Sequence, residues 1–139
     1  MPAYQIKPAI FDETDQVDAL ISRVFGPKRM DRTINLMRQN CQPMPELGLH
    51  ARDTQGTLLG LVYFYAARIG DHAPVVPVLG PLAIIPKLRG IGIGKALVQR
   101  GIDAAKANGA HAIVIVGDPD YFGVFGHKYL PFLRTLVIT

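Results

Sequence analysis

The sequence is poor in cysteine and tryptophan: its 139 residues include one cysteine and no tryptophan. Cys41 has no partner for an internal disulfide, which excludes a disulfide-stabilised secreted domain and predicts a cytoplasmic protein. Charged residues are also few, at 19%, whereas 49% of the residues are hydrophobic. This balance excludes a disordered chain and predicts one globular domain, residues 1–139, with a core of its own.

Long apolar runs and export signals are missing too. The longest apolar stretch, residues 73–85, contains three prolines and a glycine, so it is too short and too interrupted to span a bilayer, and we predict no membrane partner. The first seven residues lack a basic segment leading into an apolar one, which argues against export. The net charge of +4 favours an anionic partner, but without an aromatic and basic patch we predict no nucleic acid.

Strand and helix patterns alternate along the chain, with a βαβ unit in the second half. The strands on either side of its helix are predicted to be parallel, because a helix crosses between them. In chain order the predicted elements are a strand over 4–10, helices over 12–26 and 29–40, strands over 47–52, 57–68 and 75–85, a helix ending at Gly109, a strand over 111–116, a short helix ending at Gly126, and one strand over 133–138.

Three alternating glycines stand between a buried strand and a helix. Gly90, Gly92 and Gly94 permit a tight turn and keep side chains away from an approaching ligand, and a simple strand-to-helix connection needs fewer. The helix adds unpaired N–H groups and the positive end of its dipole, which suit a phosphate or pyrophosphate. Three cations stand nearby in sequence: Lys87, Arg89 and Lys95.

Spacing excludes two common phosphate-binding motifs. A P-loop requires glycine where Arg89 stands and serine or threonine where Ala96 stands. The dinucleotide fingerprint requires a third glycine, at a position that is either Leu97 or Lys95, depending on where the motif begins. Neither motif is therefore present.

The pattern that fits is Arg-x-x-Gly-x-Gly, formed by Arg89, Gly92 and Gly94. It resembles motif A of the GNAT superfamily of acyl-CoA-dependent N-acyltransferases, and the order of predicted elements is that family's order over nearly the whole chain. Residues 80–83, 117–119 and 125–126 further resemble a bacterial branch of predicted acetyltransferases. The resemblance implies an α/β fold: a single GNAT-like domain with a mixed sheet flanked by helices and splayed central parallel strands.

The resemblance also implies an enzyme that transfers the acetyl group of acetyl-CoA to a primary amine of a small molecule or peptide, by direct attack in a ternary complex. Backbone N–H groups of residues 91–95 would hold the CoA pyrophosphate. Main chain at residues 82–84 would bind the pantetheine arm and polarise the thioester carbonyl. The implied cofactor-binding residues are Leu82, Ala83, Ile84, Arg89, Gly90, Ile91, Gly92, Ile93, Gly94, Lys95 and Phe122.

The acid that reprotonates the departing thiolate is less well defined. Family members often carry a tyrosine four residues before Gly126, where this sequence has Phe122, which has no proton to donate. Tyr121 is adjacent, although one residue on a helix rotates the side chain by about 100°. Either Tyr121 reaches the sulfur as the catalytic acid, or it is a packing residue and solvent protonates the thiolate. Tyr129 is a more distant candidate. Phe122 also motivates an alternative function, a CoA-binding protein with little or no turnover.

No general base stands out. Glu46 before the predicted hairpin, and Asp71 and His72 near the predicted acceptor-side loop, are candidate bases, although isolated polar residues there are usually solvated. His50 and His111 fall within strand patterns and are predicted to be structural. We predict no metal site, because the four histidines and one cysteine lack ligand spacing.

Little sequence remains for the end of the domain. Only 13 residues follow Gly126, and they contain one convincing strand where the family normally closes with two. This predicts an acceptor wall that is incomplete in the monomer and is completed by the second copy of a homodimer.

Overall fold

A computed structural model of the protein describes residues 3–9, 14–29, 42–68, 75–88, 90–116, 128–130 and 135–138. The described elements in chain order are β1 (Tyr4–Pro8), α1 (Thr14–Arg29), β2 (Gln42–Pro43), a 3-10 helix (Pro45–Leu47), β3 (Leu49–Asp53), β4 (Leu58–Arg68), β5 (Val75–Ile84), a second 3-10 helix (Pro86–Leu88), α2 (Ile93–Ala107), β6 (Ile113–Val116), β7 (Lys128–Leu130) and β8 (Thr135–Ile138). Neither α1 nor α2 is long and apolar enough to cross a membrane.

The strands form one mixed sheet in the order β1-β3-β4-β5-β6-β8-β7, with β2 paired to the far end of β4. Only β5 and β6 are parallel among the described pairs, and α2 connects them, so the predicted βαβ unit is confirmed. β1 lies at one end of this order and stops at Pro8, as expected for a strand with a proline that cannot donate to a neighbour. The predicted α/β class is therefore confirmed.

The hairpin of β3 and β4 is also confirmed, and its turn explains why it forms. The Asp53 carboxylate accepts the N–H groups of Gln55 and Thr57, both at 2.9 Å. Gly56 has φ +84°, a left-handed conformation that glycine adopts without a steric penalty. The turn thereby fixes the pairing register of the two strands.

α1 extends further than the sequence predicts. The expected stop at Gly26 and Pro27 is wrong, because the helix continues to Arg29. Proline removes one backbone hydrogen bond, but here the loss falls in the last turn and leaves the preceding ladder intact. The second predicted helix, residues 29–40, lies outside the described residues beyond Arg29.

Glycines let α2 pack closely on the sheet. A Cβ at Gly101 would lie 2.8 Å from the Phe64 ring, and one at Gly60 would lie 3.2 Å from Leu97. The predicted inner stripe of α2 is buried at Leu97, Val98, Gly101 and Ala105, and Gly109, with φ +91°, follows the helix end as predicted. This close contact holds α2 against the sheet.

The end of the chain carries two strands rather than one. β7 pairs with β8 in antiparallel register, from Lys128 opposite Val137 to Leu130 opposite Thr135, and β8 pairs with β6. The expectation of a single closing strand is therefore wrong. Three residues are too few to show the alternation by which a strand is recognised in a sequence, so β7 is detectable only through its pairing.

Candidate active site

β5 and β6 are neighbours over a short length only. Their parallel pairing joins Val78 to Val114 and Leu79 to Ile115, whereas β5 continues to Ile84 alongside β4 alone. Beyond Leu79, no described strand pairs with the side of β5 that faces β6. The space beside this unpaired length of β5 is called the split below. The described part of β6 ends at Val116, so the divergence of the two parallel strands stays a prediction.

A bulge in β5 marks the beginning of the split. In the pairing of β4 with β5, Val62 opposes Leu82 but Phe64 opposes Leu79, so one residue of β4 faces two of β5. An extra residue of this kind bends the strand and increases its twist. Gly80, one of the two residues, has φ +146°, a value that side chains disfavour. The bend thus lies where the described pairing of β5 with β6 ends.

The main chain of β5 beyond the bulge alternates between β4 and the split. Ile85 N–H donates to Leu59 C=O at 2.9 Å, and hydrogen-bonded pairs recur at every second residue of an antiparallel ladder. Ala83 therefore bonds to β4, whereas Leu82 and Ile84 direct their N–H and C=O groups into the split. Of the three predicted main-chain positions, two consequently face the site.

The glycine loop has an open outer surface. Gly90 and Gly92 adopt φ +85° and φ +97°, in the left-handed region that is unfavourable for other residues. Both are exposed, and a Cβ on either would meet no atom within 4 Å. Conformation therefore requires glycine at these two positions, and the adjacent space is available to a ligand.

α2 begins with unpaired donors at this loop. Gly92 caps the helix without a side chain, and the first helical bond runs from Ala96 N–H to Gly92 C=O at 3.0 Å. Helix geometry leaves the N–H groups of Ile93, Gly94 and Lys95 without an intrahelical acceptor. Together with the helix dipole they form an anion-binding surface.

Apolar anchors hold the loop while cations remain exposed. Ile93 is buried and Ile91 is half-buried against the core, which fixes the backbone on either side of Gly92. Lys87 and Lys95 are exposed and add positive charge at the same end of β5. Arg89 lies outside the described residues.

The predicted catalytic residues are not brought together by the described part of the chain. Tyr121, Phe122, Asp71 and His72 all lie outside it. Three other candidates are placed: Glu46 is exposed in the first 3-10 helix, His111 is exposed just before β6 rather than inside a strand, and Tyr129 lies in β7.

His50 is the buried polar side chain among the described residues, at 1% exposure. Its Nε2 lies 2.8 Å from the Tyr63 hydroxyl, and its Nδ1 lies 3.3 Å from an Arg52 nitrogen. Burial lowers the pKa of His50 below its ordinary value. The contact with Tyr63 was missed in the sequence, although a hairpin turning at Gly56 places positions 50 and 63 diagonally across two strands.

The fold is that of an α/β domain in which β5 bulges where its described pairing with the parallel strand β6 ends, and then leads to a glycine-lined helix N-terminus that suits an anion. The sequence matches the profile of the Acetyltransferase (GNAT) family over residues 14–122. The chain belongs to this family, and the resemblance found in the sequence is confirmed.

Relatives and solved structures agree with this assignment. The chain is 31% identical over 112 residues to the uncharacterized N-acetyltransferase YhbS of Escherichia coli K12; the match covers 81% of this chain and 66% of YhbS, just under two thirds of that relative's length. The crystal structure of Escherichia coli YhbS in complex with CoA superposes with a TM-score of 0.82 at 25% identity, covering 99% of this chain and 82% of the other. A GNAT family acetyltransferase from Brucella melitensis in complex with acetyl-CoA gives a TM-score of 0.80 at 22% identity, covering 100% and 89%.

Proposed function

We propose that this chain binds acetyl-CoA along the split and transfers its acetyl group to a primary amine by direct attack in a ternary complex. The observation that carries the proposal is the row of main-chain groups at Leu82 and Ile84, which line the split and lead along β5 to the glycine loop. Family membership supports the choice of reaction. The CoA bound to YhbS and the acetyl-CoA bound to the Brucella melitensis protein support the choice of ligand.

The groups present fit such a ligand from end to end. The N–H groups of residues 91–95 would hold the pyrophosphate, and Lys87, Lys95 and Arg89 would offset its charge. The outward N–H and C=O groups of β5 would bind the amides of the pantetheine arm as a neighbouring strand would. The ligand would meet no side chain at Gly90 and Gly92, because both glycines face open space.

Acetyl-CoA supplies an activated thioester, and the chain must stabilise charge and move protons. The Leu82 N–H, directed into the split, would stabilise the negative charge that develops on the thioester oxygen. The amine must lose a proton and the departing sulfur must gain one. We assign the second task to Tyr121 and a place beside the cofactor to Phe122, and we assign no base.

The Gly92→Glu variant tests the proposal. Its side chain would occupy the open surface and place a negative charge among the donors of the loop, so we expect acetyl-CoA affinity measured by calorimetry to fall by about 100-fold or more, equivalent to about 2.7 kcal/mol. Gly109→Glu is the matched control, since Gly109 is also exposed, has φ +91°, faces open space and lies at the other end of α2. Unchanged affinity in a folded Gly92→Glu variant would refute the proposed site.

A second candidate function, a CoA-binding protein with little or no turnover, is favoured by one observation: Phe122 stands where the family often has a tyrosine acid. Release of free CoA thiol from acetyl-CoA across an amine library separates the two. Amine-dependent release identifies the transferase. Clear binding of acetyl-CoA without amine-dependent release identifies the binding protein.

The acceptor, the assembly and the location belong to the same proposal. We assign a small-molecule or peptide amine as acceptor, and the single cysteine supports a cytoplasmic location. The reason for expecting a homodimer, a missing closing strand, no longer applies, because β7 and β8 form the hairpin. Light scattering at working concentration would decide whether the homodimer forms.

A further inference from the structure

A chain of hydrogen bonds runs from α1 through β3 to β4. Gln16 on α1 accepts from Arg52 at 3.0 Å, and Arg52 also donates to Gly56 C=O at 2.8 Å. A second Arg52 nitrogen lies 3.3 Å from His50 Nδ1, and His50 Nε2 lies 2.8 Å from the Tyr63 hydroxyl. His50 and Tyr63 are both buried, with exposures of 1% and 8%. These hydrogen bonds therefore reach from the surface into the interior of the sheet.

Arginine determines the direction of these bonds. A guanidinium only donates, so His50 Nδ1 must accept and the neutral imidazole must carry its proton on Nε2. Nε2–H then donates to the Tyr63 oxygen. The lowered pKa of His50, caused by burial, is consistent with the neutral ring.

Tyr63 lies directly opposite the bulge of β5. The pairing of β4 with β5 passes from Val62 opposite Leu82 to Phe64 opposite Leu79, so Tyr63 is the β4 residue that faces the bulge. Leu82, whose N–H is directed into the split, is the first paired residue beyond that bulge. The ring held by His50 is therefore attached to the backbone that opposes the bend of β5.

We propose that His50 and Tyr63 are positioning residues for acetyl transfer, which hold β4 opposite the bulge and thereby fix the direction of the Leu82 N–H. This inference rests on the proposed function. The tyrosine is held at both ends, by the strand and by the imidazole, so the bulge keeps one geometry. Without the hydroxyl, a buried N–H of His50 loses its acceptor, an unfavourable state that the surrounding strands relieve by shifting.

The affinity for acetyl-CoA and the polarisation of its thioester carbonyl depend on different parts of the site. Acetyl-CoA affinity derives mainly from the glycine loop and its cations, which are distant in sequence from β4. Polarisation of the thioester carbonyl derives from the Leu82 N–H. Loss of the His50–Tyr63 contact should therefore weaken carbonyl polarisation and leave affinity nearly unchanged.

Isotope-edited infrared spectra of acetyl-CoA labelled at its thioester carbonyl measure this polarisation without an acceptor amine. In Tyr63→Phe we expect loss of at least half of the wild-type carbonyl shift, with calorimetric affinity within about threefold of wild type. Tyr65→Phe is the matched control, because Tyr65 lies two residues along the same strand, on the same side of the sheet, and is buried to 6% exposure. It should retain the full shift.

The conservative replacement of the imidazole provides a second test. Glutamine can accept from Arg52 and donate to Tyr63, so His50→Gln should keep most of the carbonyl shift, whereas His50→Leu should lose it. A full shift in Tyr63→Phe, or equal shifts in His50→Gln and His50→Leu, would overturn the inference. If wild type does not bind acetyl-CoA, the proposed function fails; if wild type binds and shifts the carbonyl but the variants do not differ, only the positioning role fails.

Discussion

The two sides of β5 carry different amounts of pairing. On one side, eight residue pairs join β5 to β4, from Val75 opposite Arg68 to Ile84 opposite Gly60. On the other side, two pairs join it to β6. The side that faces β4 supports the sheet. The side that faces β6 leaves backbone donors and acceptors directed into the split.

Backbone groups that a sheet would normally use are thus left without a partner among the described strands. Buried N–H and C=O groups need partners, and those of Leu82 and Ile84 have none among the described strands. A thioester carbonyl at Leu82 and the amides of a pantetheine arm would supply them. Neighbouring residues of one strand direct their N–H groups to opposite sides, so substitutions at two successive residues of β5 test the two sides separately.

The largest expected effect on stability comes from proline at two neighbouring residues of β5, Ala83 and Leu82. Ala83→Pro would remove a hydrogen bond to β4 and leave a buried carbonyl without its donor, which should cost about 1–3 kcal/mol, and the proline ring would further disrupt a strand that is paired at this position. Leu82→Pro removes an N–H that faces the split, so the loss of stability should be smaller, while the carbonyl shift of bound acetyl-CoA should disappear. Urea unfolding measures the first quantity and infrared spectroscopy the second.

Equal destabilisation by the two prolines would contradict the assigned directions of the main chain. A stable Ala83→Pro together with an unfolded Leu82→Pro would reverse them. Ala83→Gly and Leu82→Gly, which keep both N–H groups, control for the loss of the side chains.

A smaller effect distinguishes the packed glycine of α2 from the open glycine of the loop. Gly101→Ala would place a Cβ 2.8 Å from the Phe64 ring and should cost about 1–3 kcal/mol through overpacking. Gly92→Ala meets no neighbour and should cost about 1–2 kcal/mol through its positive φ alone. In a Phe64→Leu background the first cost should shrink and the second should not, as measured by double-mutant cycles in urea.

If Phe64→Leu relieved both substitutions equally, or neither, the assigned causes would be wrong. This control also separates folding from binding. Gly101 contributes to the contact between α2 and the sheet, so its alanine variant should retain acetyl-CoA affinity once folded.

Local patterns were the predictable part of this molecule. The spacing of Gly90, Gly92 and Gly94 predicted the loop, because turn conformation and helix start depend on neighbouring residues. The turn at Asp53 and Gly56 predicted the hairpin for the same reason. The family itself followed from Arg89, which completes the motif.

Contacts set by tertiary pairing were not predictable. β7 has three residues and is stabilised by β8 rather than by its own pattern. α1 continues past Pro27 because the lost hydrogen bond falls in its last turn. Gly80 and the proline after it favour a bulge within β5, but the register shift that forms the bulge opposite Tyr63 depends on the pairing of β4 with β5.

The smallest expected effect is a dependence of stability on pH that arises from His50, a buried residue of β3 on the β4 side of β5. Burial lowers the pKa of His50 below its ordinary value of 6.5, so the unfolded chain binds a proton that the folded chain refuses. The free energy of unfolding should therefore be greatest above pH 6.5 and fall as the pH drops from there toward the lower pKa of the folded state. The slope due to this group is at most about 1.4 kcal/mol per pH unit.

Urea unfolding of wild type and His50→Gln between about pH 5.5 and 7.5 isolates this contribution, because carboxyl groups titrate mostly below that range. The variant should show the flatter profile. His111→Gln, at an exposed position, should follow wild type. A wild-type profile that rises on acidification would mean that the folded state favours the charged imidazole, and the neutral tautomer that joins Arg52 to Tyr63 would then be wrong.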